Sequence, residues 1–199
     1  MKLAPFLSAF LLAVLPVTAL AQAPAAGPAQ SQAPQAPPPP PEIKPVGDWL
    51  VRCYPLQTQS PCDMYQQQND AKSQQRILAV SIAYIPHLDR HAIQISVPLG
   101  VSIPKGATLQ AGSYTSPVLP YRRCDRAGCY VEMLMDNSTI DQLSHGGSDA
   151  TIKVTADDGK NYALKLSMNG FTTAHDSMSE QAKAKAKAPD ASAAPAPKK

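Results

Sequence analysis

Short stretches in which apolar and polar residues alternate dominate the central part of the chain. Residues 76–85 place an apolar side chain at every second position from Leu78 to Tyr84. The same period of two recurs further along, in residues 92–99, 130–136, 151–155 and 162–168. Because successive side chains of a strand point to opposite faces of a sheet, this period predicts half-buried β-strands. Two earlier stretches, residues 47–54 and 62–68, complete the set of predicted strands.

The segments between these strands predict turns and one short helix. Residues 157–161 contain Asp-Asp-Gly, which is typical of a hairpin loop. A helix is predicted from Ser138 or Thr139 to Leu143, ended by two consecutive glycines. Many short strands without intervening helices predict an all-β fold, an antiparallel sandwich or a barrel. A sandwich is favoured because both faces of several strands carry apolar residues.

Composition divides the chain into four parts, of which residues 1–21 are the first. Residues 22–45 are mostly Ala, Pro and Gln, with five consecutive prolines, and predict a disordered, extended spacer. Residues 46–175 predict one β-sandwich domain of about 130 residues, a normal size for a single core. Residues 176–199 are rich in Lys and Ala and have no apolar stripe, so they predict a disordered or marginally helical tail.

The first 21 residues have the three parts of a signal peptide. Lys2 supplies the positive charge, residues 3–15 form an uncharged apolar run, and Ala19 and Ala21 give the small-x-small cleavage pattern. The run is too short to cross a bilayer of about 30 Å, and no later segment is long and apolar enough to do so. We therefore expect a mature chain in the periplasm, at the cell surface or secreted, without a transmembrane segment.

The net charge of +3 could suggest a nucleic-acid partner, but its distribution does not. Residues 46–175 contain eleven Lys and Arg and eleven Asp and Glu, so the predicted domain is neutral. A surface that follows phosphates needs basic residues clustered on a folded face. We expect no nucleic-acid partner.

The four cysteines all belong to the predicted mature chain. An even number in an oxidising compartment predicts disulfides, and three pairings are possible. The local pairing, Cys53 with Cys62 and Cys124 with Cys129, is favoured because a turn brings each pair together. A four-cysteine zinc site is the alternative, but the eight residues between the first two cysteines do not match zinc-ligand spacing. The C-x-x-C spacing of redox pairs is absent.

His87, Asp89 and His91 form the string that most resembles a metal site. At alternate positions of a strand the three side chains could point the same way, whereas Pro86 favours a solvated loop between two strands. A metal-dependent enzyme built on these residues is therefore kept as an alternative.

A second candidate group surrounds the last two cysteines. We call Tyr121, Arg122, Arg123 and Arg126 the basic loop. A loop held by a disulfide and carrying three arginines could bind an anionic partner. The alternative is a solvated loop whose charge is balanced by Asp125.

Four strings in register resemble a known family. They are GDWLVRC at residues 47–53, PLGV at 98–101, RC-x3-GC at 123–129 and SMNGF at 167–171. In order and spacing they are similar to the invasion-associated locus B family of exported bacterial proteins, over residues 46–175. The resemblance implies an exported, disulfide-bonded β-sandwich of bacterial origin. The name of the family comes from a link to host-cell invasion, so a virulence-associated role is implied, but no catalytic residue is carried over.

Together these observations favour an exported, non-enzymatic binding module of the envelope or the secreted fraction, linked to host-cell interaction or invasion. We expect no cofactor and no bound metal, and a partner that is an unidentified protein or envelope component. The alternatives are an envelope metal-dependent enzyme that uses His87, Asp89 and His91, and a purely structural envelope protein.

Cleavage after Ala21 predicts a mature protein that begins at Gln22. Mass spectrometry of the N-terminal peptide, from protein isolated from its native cell, should find Gln22 as the first residue. A mature chain that still begins at Met1 would contradict export through this signal.

Overall fold

Two antiparallel sheets and two helices form the part of the chain that the structure, a computed structural model, describes: residues 39–55 and 58–186. The strands are β1 (Glu42–Val46), β2 (Trp49–Cys53), β3 (Cys62–Asn69), β4 (Arg76–Ile85), β5 (Arg90–Val97), β6 (Ala107–Ala111), β7 (Tyr114–Thr115), β8 (Tyr121–Asp125), β9 (Gly128–Met135), β10 (Asp149–Thr155) and β11 (Asn161–Ser167). The α-helices are α1 (Asn137–Ser144) and α2 (Phe171–Lys185), and a single 3-10 turn occupies Ile103–Lys105. The larger sheet has the strand order β1-β2-β3-β4-β5-β9-β8, and the smaller has β11-β10-β6-β7.

The predicted signal peptide and most of the predicted spacer and tail lie outside the described residues. Among the described helices, neither combines the length and the apolar character needed to cross a membrane.

One face of the seven-stranded sheet is apolar across its central strands. Val51, Met64, Ile82 and Ile93 are cross-strand neighbours in β2 to β5, and all four are buried. They belong to one hydrophobic cluster with residues of the smaller sheet, so the two sheets share a core. The predicted antiparallel β-sandwich is therefore confirmed. Leu99, which the period assigned to β5, lies beyond the end of that strand and is exposed.

Both predicted disulfides are present. Cys53 and Cys62 are opposite each other in β2 and β3, as are Cys124 and Cys129 in β8 and β9. The Cα–Cα distances are 4.1 and 4.0 Å. The local pairing is confirmed, and it leaves no cysteine of the chain for a zinc site.

The C-terminal helix corrects the predicted domain boundary. The tail of residues 176–199 was predicted to be disordered or marginally helical and to have no apolar stripe, whereas α2 extends to Lys185 and packs on the domain, so residues 176–185 belong to the fold. The helix buries a stripe at intervals of three and four residues, formed by Phe171, Ala174, Met178 and Ala182. Half of this stripe is alanine, so its apolar pattern is weak in the sequence. The stripe packs against β2, β3 and β4.

Strand β1 corrects the other boundary, because it occupies residues 42–46 and the predicted spacer extended to residue 45. Its backbone pairs with β2 from Glu42 to Val46. β1 lies at the edge of the sheet, where Pro45 is tolerated because one side of the strand needs no ladder hydrogen bonds. Strands β6, β7 and β8 were not predicted either. They are short, and β8 is mostly polar, so pairing with neighbouring strands defines them rather than a hydrophobic period.

Two of the strings that carry the family resemblance meet beside α2. The indole N–H of Trp49 donates to the carbonyl oxygen of Ser167 at 3.1 Å. The same ring packs edge-on against Phe171, with ring centroids 5.4 Å apart. Gly47 and Gly170 both have positive φ, and a Cβ on Gly170 would lie 2.7 Å from the carbonyl oxygen of Val46. This junction therefore requires glycine for both conformation and space.

We expect Gly170→Ala to destabilise the protein more than Gly159→Ala. Both glycines have φ near +80°, but a Cβ on Gly159 would meet nothing within 4 Å. Gly159→Ala should therefore cost only the conformational term, about 1–2 kcal/mol. Gly170→Ala should cost about 1–3 kcal/mol more, because the backbones of two segments must move apart. Urea unfolding of the three proteins measures the difference, and equal losses would contradict a tight junction at Gly170.

Candidate functional site

Two side chains of the basic loop, Tyr121 and Arg123, interact with other residues of the protein. Tyr121 packs against the core, its hydroxyl has no hydrogen-bond partner within the described residues, and burial raises its pKa to about 12. Arg123 lies over the ring of Tyr130, 3.9 Å from its centroid. Its guanidinium also pairs with Asp125 at 2.6 Å and with Glu132 at 3.1 Å. These two side chains therefore contribute little free charge to a partner.

The other two arginines of the basic loop are exposed and lie in separate depressions. Arg122 lies beside Ala92 and Leu134, and Arg126 lies beside Pro98. Neither forms an ion pair within the described residues. The four predicted residues do not form one continuous binding face, and binding by this loop stays a prediction.

The structure also separates His87, Asp89 and His91. His87 is exposed in the turn after β4. The Asp89 carboxylate accepts hydrogen bonds from the Tyr84 hydroxyl at 2.8 Å and from the Asn137 amide at 3.1 Å. His91 points into the protein and is 2% exposed. Within residues 39–55 and 58–186 no three His, Cys, Asp or Glu side chains come close enough to hold a metal, and these three do not converge as alternate positions of one strand would.

His91 instead pairs with His175, a residue 84 positions away on α2. Their Nε2 atoms are 2.9 Å apart, and the ring centroids are 4.9 Å apart. The sequence near His175 offers it no partner, because His91 is 84 positions away. The α2 stripe could have placed His175 on the side of the helix that faces the sheet, because His175 directly follows Ala174, but it does not indicate His91 as the partner.

A single proton can lie between the two imidazoles. The Nδ1 of His175 is 3.1 Å from the Asp176 carboxylate and can donate to it, so the Nε2 of His175 is left as an acceptor. His91 then donates through its own Nε2, and its buried Nδ1 has no partner among the described residues. Burial, with a smaller contribution from the charge of His175, lowers the pKa of His91 to about 4. His91 is therefore neutral at physiological pH.

These histidines line a cavity of about 460 Å³, which we call the histidine cavity. Its walls come from the turn between β4 and β5, from α1 and from α2. The charged side chains around it are Asp89, Asp141, Asp176, Glu180 and Lys183. Four carboxylates and one ammonium give the cavity an acidic character. A buried titratable group with a shifted pKa in an open cavity is a common mark of a functional site.

Comparison with protein families decides the identity of the chain. The model of the invasion associated locus B (IalB) protein family matches residues 49–179, about two thirds of the sequence. The chain belongs to the IalB family. The matched part of this IalB-family protein includes both histidines of the pair and runs from β2 into α2.

Named relatives agree with the family. Invasion protein B homologues from two strains of Brucella abortus are each 26% identical to this IalB-family chain over 129 residues, which is 65% of the chain and 74% of the relative. The crystal structure of invasion associated protein B from Bartonella henselae is 20% identical, with a TM-score of 0.62. The superposition covers 71% of this chain and 99% of that one. At this identity the likeness supports the fold.

We expect the histidine pair to make stability depend on pH. The pKa of His91 is lowered on folding, from about 6.5 to about 4, so the unfolded chain takes up a proton that the folded protein does not. The contribution of neutral His91 to the free energy of unfolding is fully present above pH 6.5 and is lost as the pH falls towards 4. Between pH 7 and pH 5 the free energy of unfolding should fall by about 2 kcal/mol on this account.

Urea unfolding at several pH values measures this slope, and His91→Gln should flatten it between pH 7 and pH 5. Carboxylates with lowered pKa values, such as Asp89, lose their contribution only below about pH 4, so they do not account for this window. His145→Gln is the matched control, because His145 is exposed. If His91→Gln leaves the pH dependence of the free energy of unfolding unchanged between pH 7 and pH 5, His91 is not its source.

Proposed function

We propose that this IalB-family protein is an exported, non-enzymatic binding module that acts in the periplasm, at the cell surface or after secretion. The histidine cavity is the observation that carries the proposal. Concave sites of about 300–1,000 Å³ with a few converging polar groups are typical of binding sites. Two disulfides support a location outside the cytoplasm, together with the predicted signal peptide. The names of the relatives, invasion proteins, support a role in contact with a host cell.

The charge of the cavity indicates the chemistry of the partner. Asp89 is held by its two hydrogen bonds, and Asp176 faces His175. The carboxylates of Asp141 and Glu180 have no hydrogen-bond or ion-pair partner within the described residues. A cationic group, such as a lysine or arginine side chain of a partner protein, would complement them. Binding of this kind weakens as the salt concentration rises.

The cavity is preformed, because regular elements build its walls. Ile140 and Leu143 anchor α1 in the core, and Met178 anchors α2 against β4, where its sulfur accepts a hydrogen bond from the Tyr84 amide at 3.3 Å. Polar groups on helices that are fixed by packing keep their geometry before a partner arrives. A partner therefore does not have to order this site when it binds.

A hydrolase is the second candidate, and one arrangement favours it. The Ser179 hydroxyl is 3.4 Å from the Nε2 of His175, and the Nδ1 of His175 faces Asp176. This is the order of groups in a Ser-His-Asp triad. It ranks second because the same Nε2 already accepts from His91 at the shorter distance of 2.9 Å. Asp176 is also largely exposed, whereas the orienting carboxylate of a triad is buried.

Site-specific photo-crosslinking in the native cell tests the binding proposal. A photoreactive residue placed at Asp141 or at Glu180 should capture the same partner. Placed at Arg122 or Arg126 of the basic loop, it should capture none. Changing Asp141→Asn and Glu180→Gln together should reduce the affinity for that partner about fivefold, because two partly exposed ion pairs contribute about 0.5 kcal/mol each.

The matched control changes Asp157→Asn and Asp158→Asn, which lie in the hairpin between β10 and β11, away from the cavity. This variant should bind the partner as the wild type does. Capture from the basic loop alone would assign binding to that loop instead. Covalent labelling of Ser179 by a fluorophosphonate probe, lost in His175→Ala, would favour the hydrolase.

A further inference from the structure

A second cavity lies between the two sheets, where β9 is left open. β8 pairs with β9 only from Tyr121 opposite Val131 to Asp125 opposite Gly128. Residues 132–135 of β9 therefore have β5 as a neighbour on one side and no strand of the described residues on the other. The segment between β7 and β8 crosses from the smaller sheet to the larger one. Within this segment Leu119 forms a bridge with Ala107 of β6. The opening, which we call the inter-sheet cleft, has a volume of about 480 Å³.

The walls of the inter-sheet cleft are mainly apolar. Its floor comes from the facing sheets, with Ile93 and Val131 on one side and Leu109 on the other. Three further apolar side chains at the cleft are incompletely covered, since Val118 is 60%, Leu134 41% and Met133 39% exposed. Contiguous apolar surface that borders a cavity is a common mark of a ligand groove. Met133 also suits such a site, because its flexible thioether adapts to the shape of a ligand.

The inter-sheet cleft is lined by two carboxylates and one guanidinium. Three charged side chains line it, and two of them are engaged. Glu132 accepts hydrogen bonds from Gln94 and from Arg123. Asp136 caps α1 by accepting from the Thr139 amide at 2.9 Å.

Arg90 is the third, and it forms no ion pair or side-chain hydrogen bond within the described part of the chain. A guanidinium can bind a carboxylate through two parallel hydrogen bonds. Hydrogen bonds from Thr139 and, to a smaller extent, the charge of Arg90 lower the pKa of Asp136. Arg90 still forms no ion pair with it, so the cleft combines an apolar interior with a guanidinium that can bind an anionic group.

We propose that the inter-sheet cleft binds a single-chain amphiphile with an anionic head, a long-chain fatty acid. The acyl chain lies between the sheets along Leu109 and Val131, beneath Met133. The carboxylate is bound by Arg90. This site differs from the histidine cavity in its lining and does not depend on the function proposed above. The two sites use different faces of α1, with Thr139 in the cleft and Asp141 in the cavity.

Fluorescence titration of the disulfide-bonded mature protein tests the proposal, with cis-parinaric acid and its methyl ester as probes below their aggregation concentrations. The wild type should bind the acid saturably, with one site per chain, and about tenfold more tightly than the ester, because only the acid gains a charge-assisted hydrogen bond. Arg90→Gln should remove this preference and leave the affinity for the ester unchanged. Met133→Asp should weaken binding of both probes more than tenfold.

Leu99→Asp is the matched control, because Leu99 is an exposed apolar residue, 57% exposed, outside the cleft. It should bind both probes as the wild type does. If Met133→Asp lowers the melting temperature, Val118→Asp replaces it, because Val118 also lines the cleft and is more exposed. Val118→Asp should likewise weaken the binding of both probes.

The absence of saturable binding, equal affinity for acid and ester, or a preference that survives Arg90→Gln would each overturn the proposal. Because Asp141→Asn and Glu180→Gln do not touch the cleft, their double variant should bind the probes normally. Fatty-acid binding and partner capture can therefore fail independently of each other.

Discussion

The structure depends on how the apolar face of its larger sheet is covered. Seven strands face a sheet of only four, and at about 4.8 Å per strand the smaller sheet falls short by about 14 Å. Helix α2 supplies the missing cover over β2, β3 and β4, with a diameter of about 10 Å. Because the helix must lie there, His175 is brought against His91, and the histidine cavity forms along the margin of the helix.

The fold was predictable wherever the determining signal is local. The alternation in β4 and β5 predicts single strands, and the short loops between paired cysteines predict single turns. Both patterns lie within a few consecutive residues, so the sequence alone is enough to recognise them. The apolar stripe of α2 is harder to predict, because Ala174 and Ala182 are only slightly more hydrophobic than the polar residues around them. The contact of His91 with His175 joins residues from distant parts of the sequence, and neither histidine carries a local sign of the other. β1 was missed because pairing with β2, and not its own composition, makes it a strand.

The strings that carry the family resemblance describe the frame of the protein. GDWLVRC and SMNGF join the start of β2 to the start of α2, through Trp49, Ser167 and the two glycines. The RC-x3-GC string forms the β8–β9 hairpin, and its Cys129 pairs with Val97 immediately before PLGV. None of these strings lines the histidine cavity. Membership of the family therefore describes how the chain folds, and the binding chemistry has to be inferred from the cavities.

The position of α2 at the end of the chain has a consequence for the order of folding. Strands β2 to β4 emerge early, but they cannot bury their apolar face until Ala182 is available to cover it. The bond from Trp49 to Ser167 likewise spans 118 residues. Contacts of such long sequence separation form late and slowly. A chain that emerges N-terminus first therefore completes this part of its core only when nearly all of the residues that the structure describes have appeared.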